Sequence, residues 1–206
     1  MAEDKFRFYA LWLCLACIIV FFLQFIPGFE NLFILSSAHK LEIWRYISAL
    51  FLHGSVIHLA YNLFALALFG SSLEAVIGSK NFLKIFFISG LISNILAVNV
   101  YTSSLGASGA IYGVIGALII AKPLMPVWAF ALPMPLFVAG ILWIAGDFIG
   151  LFVPDDIGHV AHLAGMLAGV IIGIFYKPRN NSSEKRRERL KLDERMIRGW
   201  EDSVMR

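Results

Sequence analysis

Two short stretches carry residue types that can do covalent chemistry together. Ser108 lies in Gly106-Ala107-Ser108-Gly109 at the head of an apolar run, and His162 lies in Ala161-His162-Leu163-Ala164-Gly165 within another. Polar side chains are costly inside such segments and mark function by default. An imidazole within roughly 2.6–3.2 Å of a serine hydroxyl can take its proton, leaving an oxygen nucleophile for a carbonyl carbon. If the two segments touch, the chemistry is acyl transfer by a serine hydrolase inside a membrane.

The elements that must position these groups follow from composition. Of the 206 residues, 59% are hydrophobic and 15% charged, with mean hydropathy +0.78, against a charged fraction of about 25% in soluble domains. One globular core cannot hide that much apolar surface. The apolar residues fall into blocks near the length of about 20 residues that spans hydrocarbon, at about 8–26, 57–77, 81–99, 106–121, 126–152 and 157–176. A transmembrane barrel would need alternating strands of roughly ten residues, and no such alternation runs through the chain. The expected fold is therefore an all-α polytopic membrane protein with six transmembrane helices.

Charge sets the orientation. Fifteen of the 17 Lys and Arg residues fall on one side of this six-span arrangement, leaving Lys40 and Arg45 on the other. By the positive-inside rule both termini are cytoplasmic. The first block is too long for a signal peptide and lacks a small-residue cleavage site before Pro27, so it reads as a retained helix. Cys14 and Cys17 lie inside it, where a C-x-x-C pair reads as two small apolar side chains.

With this topology, helices 2, 4 and 6 run inward from the outer face. His58 and Asn62 near the start of helix 2, Ser108 near the start of helix 4, and His162 near the start of helix 6 then share one layer at about 1.5 Å rise per residue. His58 and Asn62 are i,i+4, as are Ser108 and Tyr112, so each pair shares a helix face. Gly109-x-x-x-Gly113 and Gly165-x-x-x-Gly169 are small-x-x-x-small patterns that permit close helix approach, as a Ser–His hydrogen bond requires.

The chain resembles the rhomboid intramembrane serine proteases. The resemblance rests on Trp44-Arg45, His53 with His58-Leu-Ala-Tyr-Asn62, Gly70-x-x-x-Glu74 ahead of Gly78, Gly106-Ala-Ser108-Gly109 with Tyr112, and Ala161-His162-Leu-Ala-Gly165-x-x-x-Gly169, in the family's order over about residues 8–176. It implies Ser108 as nucleophile and His162 as general base, a dyad without the carboxylate of a triad. It also implies that the Ser108 amide, His58 and Asn62 stabilise the oxyanion, and that Tyr112 orients His162 by stacking.

Other polar residues receive plainer readings. His53 and Glu74 are expected to be structural, and Trp44-Arg45 to hold the first loop. His159 and His162 form H-x-x-H, but no acidic third ligand is evident beside them, so no metal is expected. Asp147 is either functional or a structural carboxylate facing water or the Trp44/Arg45 region, and is left outside the dyad. Pro133 and Pro135 predict a kink in helix 5, which in the family lies beside the substrate's entry route.

Residues 1–176 thus form the protease domain and 177–206 a basic cytoplasmic tail. In the tail Leu192, Met196, Trp200 and Val204 recur every four residues, predicting a short amphipathic helix, and net charge +4 suits anionic headgroups rather than nucleic acid. The resemblance implies an endopeptidase that needs no cofactor and cleaves single-span membrane proteins in the bilayer, where the substrate helix must unwind to expose its peptide bond. A catalytically inactive rhomboid-like binder or dislocation factor would lack the nucleophile or the base. A transporter would show repeat halves with interrupted helices; no repeat is seen. The absence of transit-peptide composition favours a prokaryotic cell membrane, with the site opening outward.

Overall fold

The computed structural model describes residues 6–176 together with 194, 196, 197 and 200. The amphipathic tail predicted at 177–206 lies outside the described residues apart from those four. In chain order the helices are α1 (Tyr9–Leu23), α2 (Phe29–Phe33), α3 (Arg45–Ser48), α4 (Val56–Ala65), α5 (Ser71–Ile77), α6 (Ser79–Ala97), α7 (Ser108–Ala121), α8 (Leu136–Gly150) and α9 (His159–Tyr176). A π-helical turn at Leu66–Gly70 joins α4 to α5, giving one apolar helix over Val56–Ile77. That helix, α6 and α9 are long and apolar enough to cross a membrane, and α1, α7 and α8 are shorter apolar helices. Each predicted apolar block holds one of these six.

α7 is the centre of the bundle. Its sequence is apolar all round, the signature of a helix enclosed by others, and nine of its 14 residues are buried. The extensive contacts it makes with α9 and α6 depend on missing side chains. A Cβ on Gly165 would fall on the Gly109 carbonyl oxygen, one on Gly169 on that of Gly113, and one on Gly113 on the Ser89 side chain of α6. Phe82, Ile85 and Phe86 of α6, Leu66 and Leu73 of the helix over Val56–Ile77, and Leu118 of α7 fill the adjoining core. Large side chains such as Trp12, Phe22, Phe64 and Phe175 stay exposed, as a hydrocarbon solvent allows.

The beginning of α1 is held by a distant carboxylate. Glu74, fully buried, accepts the amides of Arg7 (3.2 Å), Tyr9 (3.0 Å) and Ala10 (3.0 Å) and the Ser79 hydroxyl (2.6 Å). These include amides at a helix start that have no intrahelical acceptor. Glu74→Ala should lower stability by about 3 kcal/mol, because buried donors left unpaired each cost about 1–3 kcal/mol; thermal unfolding in detergent reads this as a Tm lower by several degrees.

Two small ribbons shape the ends of the bundle. β1 (Leu35–Ser36) pairs antiparallel with β2 (Ser103–Ser104), tying the first loop to the segment leading into Ser108. β3 (Pro126–Ala129) and β4 (Leu132–Pro135) form an antiparallel hairpin with Pro126 opposite Pro135. This corrects the reading of 126–152 as one kinked helix. Proline lacks the amide that a helix interior needs, so Pro133 and Pro135 lie in the hairpin and α8 starts after them. The Met125 and Pro123 carbonyls accept the Leu136 and Phe137 amides at 2.9 and 3.1 Å. Phe130 and Ala131 make the turn with φ of 53° and 60°, the positive pair that a two-residue hairpin turn of this hand requires.

Candidate active site

Ser108 is the first residue of α7. Its amide belongs to the first turn, where donors find no carbonyl within the helix. The approach to it is fixed by Gly106, whose φ of +114° disfavours any side chain and whose Cβ would come within 2.8 Å of the His58 ring. The Gly106 amide donates to the Ala49 carbonyl at 2.8 Å.

His162, in the first turns of α9, meets this serine: Nε2 and Ser108 Oγ are 2.9 Å apart. The Tyr112 ring stacks on the imidazole at 4.3 Å between centroids and 9° between planes. Both rings come from helices brought together by Gly109, Gly113, Gly165 and Gly169. A hydroxyl bonded to an imidazole nitrogen beside the amides of a helix start has the chemistry a nucleophile–base pair with oxyanion donors would need.

His58 packs on the Gly106 turn, its amide capped by the Ser55 hydroxyl at 3.0 Å. Asn62 Nδ2 donates to the His58 carbonyl at 2.8 Å, while Oδ1 is buried without a hydrogen-bond partner. The second Nδ2 hydrogen is not used by that bond. His53 is buried, its amide donating to Gln24 Oε1 at 2.9 Å and its Nδ1 lying 3.1 Å from the Phe51 carbonyl. Burial, and then the neighbouring His58 ring, push its pKa down from 6.5 to about 4. The unfolded chain binds this proton below pH 6.5 and the folded chain only near pH 4, so stability should fall as pH drops between them, by up to about 3 kcal/mol. Thermal unfolding across that window should show a shallower slope for His53→Gln than for wild type.

Arg45 is buried in the first loop, donating to Glu42 Oε2 at 2.8 Å and to the Asn31 and Ile34 carbonyls at 2.7 and 2.8 Å. Trp44 Nε1 donates to the Leu32 carbonyl at 3.3 Å. The Trp44 and Arg45 partners do not include Asp147, so of the alternatives left open for Asp147 the one near that pair falls away. Asp147 is buried on α8, its Oδ1 2.9 Å from His162 Nδ1 and 2.7 Å from His159 Nδ1. His159 Nε2 in turn lies 3.2 Å from both oxygens of Asp155. The Ile157 amide and the His159 ring hold the exposed Asp155 carboxyl below its ordinary range.

A carboxylate thus lies beside the pair that the resemblance implies as a dyad, and H-x-x-H has an acidic companion in Asp147, against the sequence reading. Ligand atoms of Asp147, His159 and His162 lie within 4.8 Å of one another. The three are joined by hydrogen bonds. Sequence reasoning named Asp147 as a functional or structural carboxylate but left it outside the dyad, because 15 positions separate it from His162. Its one usable signal was a carboxylate in an apolar run with glycine one turn on, at Gly150.

The fold is a helical one with apolar helices long enough to cross a membrane, and in it a serine hydroxyl meets a histidine ring. A rhomboid domain model matches residues 40–179, and the chain belongs to the rhomboid family. It is 31% identical over 169 residues to Rhomboid protease GlpG of Haemophilus influenzae (strain ATCC 51907 / DSM 11121 / KW20 / Rd), covering 80% of this chain and 83% of that one. Against Rhomboid protease GlpG of Serratia proteamaculans (strain 568) it is 30% identical over 166 residues, with 77% and 59% covered. RHOMBOID-like protein 7 of Arabidopsis thaliana is 30% identical over 137 residues, with 66% of this chain and 43% of that one covered.

Proposed function

We propose that Ser108 and His162 hydrolyse peptide bonds in or near transmembrane segments of single-span membrane proteins. That the chain is a serine intramembrane protease, a hydrolase, rests on its family and on relatives bearing that name. The observation that carries the residue assignment is the 2.9 Å contact between His162 Nε2 and Ser108 Oγ. Ser108 Oγ bonds to the carbonyl carbon as its proton passes to His162 Nε2. The Ser108 amide, His58 and the free Asn62 hydrogen receive the oxyanion. His162 then protonates the leaving nitrogen as the C–N bond breaks, and water, deprotonated by the same imidazole, hydrolyses the ester. Tyr112 keeps the ring in plane throughout.

The reading includes six membrane crossings within the protease domain at 1–176, cytoplasmic termini and a site opening to the outer face of a prokaryotic cell membrane. The distribution of Lys and Arg supports that orientation. The test is cleavage of a model single-span substrate in liposomes by wild type, Ser108→Ala and His162→Ala. Cleavage by wild type alone is expected. Cleavage by a folded Ser108→Ala chain overturns the assignment, and silence from all three across a broad panel turns the reading toward an inactive family member that binds membrane proteins.

A further inference from the structure

We propose that Asp147 is a positioning residue for His162, its Oδ1 shared between the His162 and His159 rings. The inference rests on Ser108 and His162 being the reacting pair.

Geometry carries it. Asp147 is 5% exposed, and a carboxylate so enclosed is very costly unless donors surround it. Its Oδ1 meets the Nδ1 atoms of His162 and His159 at 2.9 and 2.7 Å, while Oδ2 is buried without a hydrogen-bond partner. A carboxylate only accepts, so each of these nitrogens donates an N–H. His162 is thereby held with its proton on Nδ1 and its lone pair on Nε2, the tautomer that can receive the Ser108 proton at 2.9 Å.

Space for the arrangement is built in. A Cβ on Gly150, one helical turn beyond Asp147, would overlap the His159 ring. His159 Nε2 is anchored by Asp155, and the Tyr101 hydroxyl accepts the neighbouring Val160 amide at 3.0 Å. The result is one hydrogen-bonded chain, Asp155–His159–Asp147–His162–Ser108, from an exposed loop to the nucleophile. When Ser108 loses its proton, the imidazolium formed at His162 faces an ionised Asp147 that stays ionised. Electrostatic support then grows as charge develops in the transition state, which raises kcat rather than substrate affinity.

The experiment uses the full chain in liposomes with a single-span substrate. Asp147→Asn keeps the shape and removes the charge; kcat should fall at least tenfold with KM within twofold of wild type, while Tm stays within a few degrees. Independently of any variant's folding, histidine 15N NMR of the wild-type chain should show His162 as the Nδ1–H tautomer. A folded Asp147→Asn chain with kcat within threefold of wild type, or an Nε2–H tautomer at His162, overturns the proposal. Ser108→Ala and His162→Ala run alongside: their inactivity with Asp147→Asn near wild type refutes the role of Asp147 alone, whereas their retained activity refutes the reacting pair.

Discussion

Ser108→Ala should reduce cleavage by about 10⁴-fold or more, and a Ser108→Ala/His162→Ala double variant should be no slower than the single one. Nucleophile and base act as one unit, so removing either forfeits nearly all that the pair contributes, and losses do not add. The residual rate reflects binding and the oxyanion donors alone. Loss of a single oxygen from a half-buried position should leave Tm within a few degrees of wild type. Single-turnover cleavage in liposomes beside thermal unfolding separates lost chemistry from lost fold. A double variant markedly slower than Ser108→Ala would mean that His162 acts on a route not passing through Ser108.

Gly169→Val should abolish folding or lower stability by at least about 3 kcal/mol. Overpacking ordinarily costs about 1–3 kcal/mol because side chains shift aside. At Gly169 the obstructing atoms are the backbone of Gly113, and relief requires moving α9 away from α7. The same displacement would carry His162 from Ser108. Gly146 provides the contrast, since a Cβ there meets nothing within 4 Å; Gly146→Ala should be neutral or stabilising by up to about 1 kcal/mol. Thermal unfolding and size-exclusion profiles of both variants check the pair of outcomes. Equal stability of the two would show that the close α7–α9 approach is dispensable.

Much of the helical layout could be read from apolar blocks, because hydrocarbon length and periodic glycines are local signals. The meeting of Ser108 and His162 was also legible, from topology and small-residue spacing. The hairpin at 126–135 was hidden because Val127, Trp128 and Leu132 are as apolar as a spanning helix, and the prolines read as a kink rather than a strand. The place of Asp147 beside His162 was hidden for a different reason. Its partners come from another helix and from a histidine dismissed as a weak metal motif, and hydrogen bonds between elements leave no spacing rule along the chain. Glu74 was recognised as structural, but its acceptors' role for residues 7–10 depends on a tertiary contact that composition cannot reveal.

That contact has a consequence for biosynthesis. The amides of Arg7, Tyr9 and Ala10 find their acceptor 64–67 positions later, and the Ser79 hydroxyl that completes the cluster follows after it. During ribosomal synthesis the first helix therefore emerges with its leading donors unsatisfied, and it can settle against the bundle only after the second apolar helix and the turn into the third have left the exit tunnel. Until then those donors have only water or lipid headgroups to bond.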